Sequence, residues 1–528
     1  MEEPHGSSQV LDAKSRRFKA KHPAAVLIVR GGGVVRVAAT DNIKLISTEA
    51  PKIDAISKLK QAVFFGAIKD NPLSFKVRPE LEFSAEEVAN AAIKLSGEIL
   101  ESKDLANLAV SQSLQKRATL LKDLAIYLKS TGVALDRLTK WQLLGDAEKL
   151  AAATNMWKRH DETVRHMPDG AKTSLMSELV EYINENSKNE PSKEKGEVDE
   201  VRHWFIKSVP RIQIAIPWAF QVIKYTYQDG QKDHASVMDL LSEADDLVMG
   251  AIQSALDFRT SNLDLYGLGS EQLEHGILKF GYEGLPEFWT STFFIAENLR
   301  KQVDLGGMLL REYIGRPIGK GDPSAEVVDK IRLEFPDLID TAIRSNTERI
   351  RWGRAQHSQS DQEQASQMES ALGKIQDTHL SSLAVDMDLT DKALALAEKH
   401  EILPVLARLL LWDLELRSQQ SQQPGLSDED FESLEARSEL MKDSVRQLFV
   451  KFGAKWAKAL FEHEIEQGLM EQLLDEWKEE QTYLTEFLRS KSEYAKVSWI
   501  NDITRESDLE TASKALLDLG LKHESDLW

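Results

Sequence analysis

Cysteine is absent from the 528-residue chain. That excludes disulfides, thiolate metal sites and a cysteine nucleophile, and it fits a reducing compartment. Long apolar runs are also missing: PAAVLIV, Pro23 to Val29, falls far short of the roughly 18 residues a membrane helix needs. Positive charge is in deficit. A net charge of −20 disfavours sequence-independent nucleic-acid binding, which works by neutralising phosphates. Met1 to His22 is polar throughout, so it does not read as a signal peptide. What remains, at 42% apolar and 29% charged residues, has the composition of an ordinary soluble protein.

The strongest pattern present is helical. In KSEYAKVSWINDITRESDLETASKALLDLG, Tyr494, Val497, Ile500 and Ile503 recur every third residue, and a second series runs through Leu509, Ala512, Leu516 and Leu519. Ser507 and Glu510 stand in capping-box spacing, which predicts a helix start after a short polar turn. So short a connection makes the two helices antiparallel neighbours. One such pair buries too little to stand alone, which predicts stacked helix pairs that stabilise one another.

Similar signals recur along the chain. Ser84 and Glu87 form another capping box, and helical periodicity covers Leu114 to Leu128 and Leu135 to Trp157. Ala393 to Leu416 reads as one pair bent at Ile402-Leu403-Pro404, and Val445 to Trp477 as another turned at Glu466-Gln467-Gly468. The spacing is uneven and there is no tight consensus, so the expected class is all-α, an irregular helical solenoid. The clear strand signal is AAVLIVR-GGG-VVRVAA, Ala24 to Ala39, a hairpin pattern around three glycines. An isolated hairpin is marginal in water, so it reads as the last strands of an upstream β domain. The expected organisation is a flexible tail over 1–22, carrying the basic KSRRFKAKH, and the hairpin remnant with its linker over 23–48. A first helical block follows over 80–350 and a second over 380–528. Asn184 to Glu200 is polar and charged and reads as a mobile loop, either a binding element or a linker.

Several stretches invite a chemical reading, and each lacks something. GRPIGKG, Gly315 to Gly321, is one spacer short of a phosphate loop and has Gly321 where the hydroxyl should stand. GLGS from Gly267 and GGG from Gly31 lack a strand–turn–helix context. His160, Glu162 and His166 depart from zinc-protease spacing, and the two histidines are expected on different helix faces. Asp245-Asp246 has no third carboxylate to complete a D-D-x-x-D motif. Trp141, Trp157, Trp412, Trp456, Trp477 and Trp499 fall at helical spacing and read as core anchors. No catalytic, cofactor or metal constellation emerges, so the expectation is a non-enzymatic protein.

The run from FVKFGAKWAKALFEHEIEQGLMEQLL through LTEFLRSKSEYAKVSWINDITRESDLETASKALLDLG resembles the helical region of the nucleoporin 133 family, and LTKWQLLGDAEKLAAATNMWKRHDE is similar to an earlier part of it. The resemblance covers roughly Glu80 to Trp528, and VLIVRGGGVVRVAA would close that family's N-terminal β-propeller. It implies a structural scaffold in the outer ring of the nuclear pore complex at the nuclear envelope. That scaffold would sit at the far end of the Y-complex stem, with other Y-complex nucleoporins as partners, in support of mRNA and protein transport. The family's membrane-sensing propeller loop has no counterpart here, and its main stem partner site is expected beyond Trp528. The apolar ending Leu527-Trp528 reads as a truncation within a continuing array. The alternatives are another coat- or tether-type helical scaffold, such as the nucleoporin 155 class, and a helical enzyme assembling its site from distant residues.

Overall fold

The computed structural model describes residues 24–29, 33–38, 54–65, 83–101, 108–166, 174–186, 199–228, 233–317, 319, 321–422, 428–470 and 472–526. Among the described residues there are nineteen helices and two two-stranded ladders. The all-α class expected from the periodicity, with stacked helix pairs and a short hairpin at the amino end, is what the fold shows. Strands β1 (Ala24–Val29) and β2 (Gly33–Ala38) pair antiparallel, from Ala24↔Ala38 to Val29↔Gly33. The 1–22 tail and residues 187–198 of the expected loop lie outside the described residues.

The chain forms two compact units. The first comprises Met1–Gly306 with Pro317–Glu369, the second Gly307–Arg316 with Ser370–Trp528. The first holds α1 (Ala55–Phe65), α2 (Ala85–Leu100), α3 (Val110–Thr131), α4 (Arg137–His166), α5 (Leu175–Asn186), α6 (Glu200–Lys207), α7 (Ala215–Gln228) and α8 (His234–Asn262). The short strands β3 (Leu273–Glu274) and β4 (Ile277–Leu278) follow. Helix α9 (Phe293–Tyr313) belongs to this unit up to Gly306, α10 (Ala325–Ala355) belongs to it whole, and α11 (Gln359–Val385) belongs to it up to Glu369.

The long helices α4 and α8 form the centre of this unit; α8 also packs on α7 and α10, and α4 on α2 and α3. Two ion pairs fix their sense. Arg259 meets Glu148, and Arg159 meets Asp246 at 2.7 Å, so numbering rises along α4 as it falls along α8. The helices are antiparallel, pinned at points about 16 Å apart along α4. Helix α2 starts with the expected capping box: Glu87 N donates to Ser84 Oγ (3.2 Å) and Ser84 N donates to Glu87 Oε2 (2.9 Å).

A buried arginine joins two helix ends. Arg117 of α3 donates to the carbonyls of Leu100 (2.9 Å), Phe205 (3.0 Å) and Ile206 (3.2 Å). These are main-chain acceptors in the last turns of α2 and α6, where carbonyls lack intrahelical partners and the helix dipole favours a cation. Its described partners are all carbonyl groups, and burial alone pulls its pKa down to about 10.

The second unit holds the rest of α9 and α11 with α12 (Thr390–Lys399), α13 (Leu403–Ser421), α14 (Asp428–Phe452), α15 (Ala454–Glu466), α16 (Leu473–Glu476), α17 (Gln481–Arg489), α18 (Ala495–Thr504) and α19 (Leu509–Asp526). Its packing follows chain order: α12 on α13, α13 on α14 and α15, α15 on α17, α17 on α18, α18 on α19. The bend at Ile402 is a helix stop and restart. Glu401 takes φ +53° and Ile402 N reaches back to the Ala397 carbonyl at 2.8 Å. The turn at Glu466-Gln467-Gly468 also stands where expected, with Gly468 at φ +80°. Val445 to Trp477 is more broken than a single pair, because Gly453 at φ +55° interrupts it between α14 and α15.

The last pair departs from expectation in two ways. Asp508, not Ser507, caps α19: its Oδ1 accepts from Thr511 N at 3.1 Å, while Ser507 sits at φ +55° in the turn. Helix α18 also turns the other way. Ser498, Asn501 and Asp502 are buried, whereas Ile500 and Ile503 are 41% and 39% exposed. The reason lies across the contact. Helix α17 presents Arg489, Thr485 and Gln481: Arg489 holds Asp502 Oδ1 (2.8 Å), Asn501 Nδ2 donates to Thr485 Oγ1 (2.9 Å), and Gln481 Nε2 donates to Asn501 Oδ1 (2.8 Å). Once such a polar network is buried, every unmade bond in it is costly, so it sets the rotation of the helix.

Candidate functional site

The most concentrated chemistry in the first unit is a sealed ionic knot. Arg259 of α8 forks onto Glu148 of α4, Nε to Oε1 at 2.7 Å and Nη2 to Oε2 at 3.0 Å. Its Nη1 donates to Glu348 Oε1 of α10 at 2.6 Å and to the Gly276 carbonyl at 3.4 Å. Thr290 accepts from Arg259 Nη2 (3.2 Å) and donates to Glu348 Oε2 (2.9 Å), and Trp289 Nε1 donates to Glu148 Oε2 (3.0 Å). Phe288 lies under the guanidinium, 4.9 Å from ring centre to cation, a distance that suits cation–π attraction. All three charged side chains are at most 1% exposed.

Burial on its own would favour the neutral guanidine, and the Glu148 and Glu348 carboxylates more than offset it, holding Arg259 charged. A buried ion pair gains little over an apolar isostere, but breaking one is expensive. The knot therefore works by fixing geometry. It ties α4, α8 and α10 to the glycine-punctuated stretch after α8, with its charged side chains buried from solvent.

That stretch is ordered by the same residues. Positions 273–278 form a ladder closed by His275 (φ +54°) and Gly276 (φ +85°), the paired positive angles of a two-residue hairpin turn. Glycine is required at 276: a Cβ there would lie 2.9 Å from Leu256 Cβ. Arg351 of α10 pairs with Glu274 and also donates to the Leu278 carbonyl (3.3 Å), and Trp352 Nε1 donates to that of Leu285 (3.0 Å).

The motifs weighed from sequence are dispersed. His160 and His166 both line one cleft of about 410 Å³ with Glu162, Glu243 and Asp246, although their six-residue spacing sets them on different faces of α4. The groups there are engaged: His166 Nδ1 donates to the Glu162 carbonyl (2.7 Å), and Asp246 bridges Arg159 (2.7 Å) and Lys330 (2.6 Å). Among the described residues no cluster of His, Asp or Glu is arranged to hold a metal ion. Asp245 is buried and accepts from Gln302 Nε2 at 2.6 Å; burial pushes its carboxyl up to about 8. In the Gly315–Gly321 stretch, Gly319 N donates to Asp322 Oδ2 (2.7 Å), and α10 starts from a cap at Ser324. Trp141, Trp456 and Trp477 are buried; Trp157, Trp412 and Trp499 are half-buried. Trp477 Nε1 donates to both oxygens of Glu464 (2.9 and 3.0 Å), and burial raises that carboxyl to about 7.

Periodicity did not flag the knot residues, although a signal was present. Glu148 falls on the register of Trp141, Leu144 and Ala152, and Arg259 on that of Val248, Ile252 and Ala255. A charged residue inside an apolar stripe implies a buried partner.

Among the described residues no helix is long and apolar enough to cross a membrane. The family model for the non-repetitive/WGA-negative nucleoporin C-terminal region matches residues 142–527. Nucleoporin NUP133 of Chaetomium thermophilum is 33% identical over 531 residues, covering 100% of this chain and 38% of that relative. Nucleoporin nup132 of Schizosaccharomyces pombe is 24% identical over 483 residues, covering 89% of this chain and 37% of that relative. The chain thus spans less than half the length of either. A solved circular tandem repeat protein covers 88% of this chain, and 86% of its own, at 14% identity with a TM-score of 0.23, too low to carry an argument. The similarity to nucleoporin 133 first read in Leu138 to Glu162 and in the last helices extends over the whole chain. The chain belongs to the non-repetitive/WGA-negative nucleoporin C-terminal family.

Proposed function

We propose that the chain is a structural, non-enzymatic scaffold element of the nuclear pore complex, part of the Y-complex stem in the outer ring, where it supports passage of mRNA and protein. The observation that carries this reading is the likeness to Nucleoporin NUP133 over 100% of the chain. The internal chemistry supports it. Arg259, Glu148 and Glu348 are spent on joining helices in a site closed to solvent, as suits a protein whose useful product is a rigid exterior. Other Y-complex nucleoporins are the partners in this reading.

Two measurements test it together. A fluorescent fusion of the full-length protein is expected to label the nuclear rim in puncta, and the purified protein is expected to co-elute with the remaining Y-complex subunits. A diffuse signal with no co-elution overturns the reading. Rim labelling without co-elution keeps the pore and discards the Y-complex.

A further inference from the structure

We infer that the trough between α3, α4 and α8 is a docking site for an acidic amphipathic helix of a partner protein. The trough encloses about 530 Å³ and lies wholly within the first unit. Its walls repeat at helical pitch: Gln115, Ala118 and Lys122 come from α3, and Ala147, Ala151, Thr154 and Lys158 from α4. The α4 wall runs about 16 Å, some three turns of helix. Alanine and threonine at mid-length leave the space in which a partner's larger side chains would sit.

The floor is apolar. Leu121, Leu150 and Tyr266 of its lining are buried, and Phe258 and Leu265 are half-buried. An apolar groove whose walls repeat at helical pitch accepts residues spaced i, i+3, i+4 and i+7 on a helix. An extended strand would need an open sheet edge, and the lining consists of helix faces with the turn after α8.

The charge of the rim selects among helices. The chain carries a net −20, yet the described lining of this trough holds Lys122 and Lys158 and no aspartate or glutamate. Lys158 has Glu162 one turn further along α4 at 3.8 Å, with both side chains more than half exposed, a weak pair that a partner carboxylate can replace. The charge of the lining is therefore opposite in sign to the net charge of the chain. It attracts an acidic segment and rejects a basic one. This inference stands on the trough alone and does not depend on where in the cell the chain works.

The test uses two synthetic amphipathic helices with the same leucine pattern, one with glutamate and one with lysine at the polar positions. Each carries a fluorescent label, and binding to the whole chain is read by anisotropy. The acidic helix is expected to bind about tenfold tighter, the scale of two rim charges. The K122E/K158E variant changes only exposed side chains and is expected to reverse the preference. A118W fills the trough and is expected to abolish binding of the acidic helix while the melting temperature holds. The inference is overturned by saturable binding of neither helix, by an order of affinity that K122E/K158E leaves unchanged, or by binding indifferent to A118W. Concentration-dependent self-association that A118W blocks would overturn it too, by showing that a second copy fills the trough.

Discussion

Arg117 reaches the carbonyl oxygen of Leu100 at 2.9 Å and that of Phe205 at 3.0 Å, so a single cation closes the carboxyl ends of α2 and α6. Replacing it with methionine keeps the bulk and leaves these acceptors unpaired. Hydrogen bonds to a charged group contribute about 1.5–3 kcal/mol each, and the loss here should come to about 3 kcal/mol after relaxation. Hydrogen exchange measures it: R117M should lose protection in the last turns of α2 and α6 before any other helix. Unchanged protection there would show that the carbonyls find water instead.

Breaking the knot from its cationic side should be worse than from either acidic side. R259M leaves Glu148 and Glu348 facing each other without a counter-charge, whereas E348Q keeps the Arg259–Glu148 fork. Removing one partner of a buried pair costs about 3–5 kcal/mol. Calorimetry should place the melting of R259M well below that of E348Q. The R259M/E148M/E348L triple variant should recover much of the difference, because no orphaned charge remains.

Gly276 should not tolerate a side chain. At φ +85°, with Leu256 Cβ 2.9 Å from the site of a new methyl, alanine meets both backbone strain and a clash. About 1–3 kcal/mol is expected for such strain. Urea titration of G276A tests this, and a midpoint equal to wild type would refute the packing described.

Asp245 makes stability depend on pH with a defined sign. Its folded-state carboxyl is raised by burial to about 8, above the unfolded value near 3.9. The folded state therefore holds a proton that the unfolded state has released, and stability falls as pH rises through that window, by at most about 1.4 kcal/mol per unit. Below the unfolded value the contribution is fully present. D245N keeps an acceptor for Gln302 and should flatten the slope between pH 5 and 8. Parallel slopes for the two proteins would reassign the effect.

At the last helix pair, polar and apolar substitutions should exchange their usual ranks. N501A and D502A remove buried bonds to Thr485 and Arg489, while I500S and I503S alter side chains that are over a third exposed. Denaturation midpoints should drop for the first two and stay within about 0.5 kcal/mol for the second.

These cases show which features can be read from the sequence. Local signals were visible: the Ser84–Glu87 box, the Ile402 restart and the Gly468 turn depend on residues within one or two turns. The rotation of α18 was not, because the polar face of α17 overrules the isoleucine spacing, and that pairing joins residues 13 to 20 positions apart. The knot was hidden for the same reason on a larger scale. Glu148 and Arg259 are 111 positions apart, and periodicity within one helix carries no information about the partner. The trough escaped notice because Ala118, Ala151 and Thr154 look unremarkable one at a time.

The chain order of the knot also constrains biosynthesis. A ribosome releases Glu148 first and Arg259 second, and Glu348 emerges 89 residues after the arginine. Until that last carboxylate is free of the exit tunnel, the arginine lacks its second counter-charge: α8 can pair with α4 through Glu148, but its tie to α10 must wait. Completion of this unit is thus timed by translation: a pause before Glu348 has cleared the exit tunnel prolongs the half-assembled state, and a later one does not.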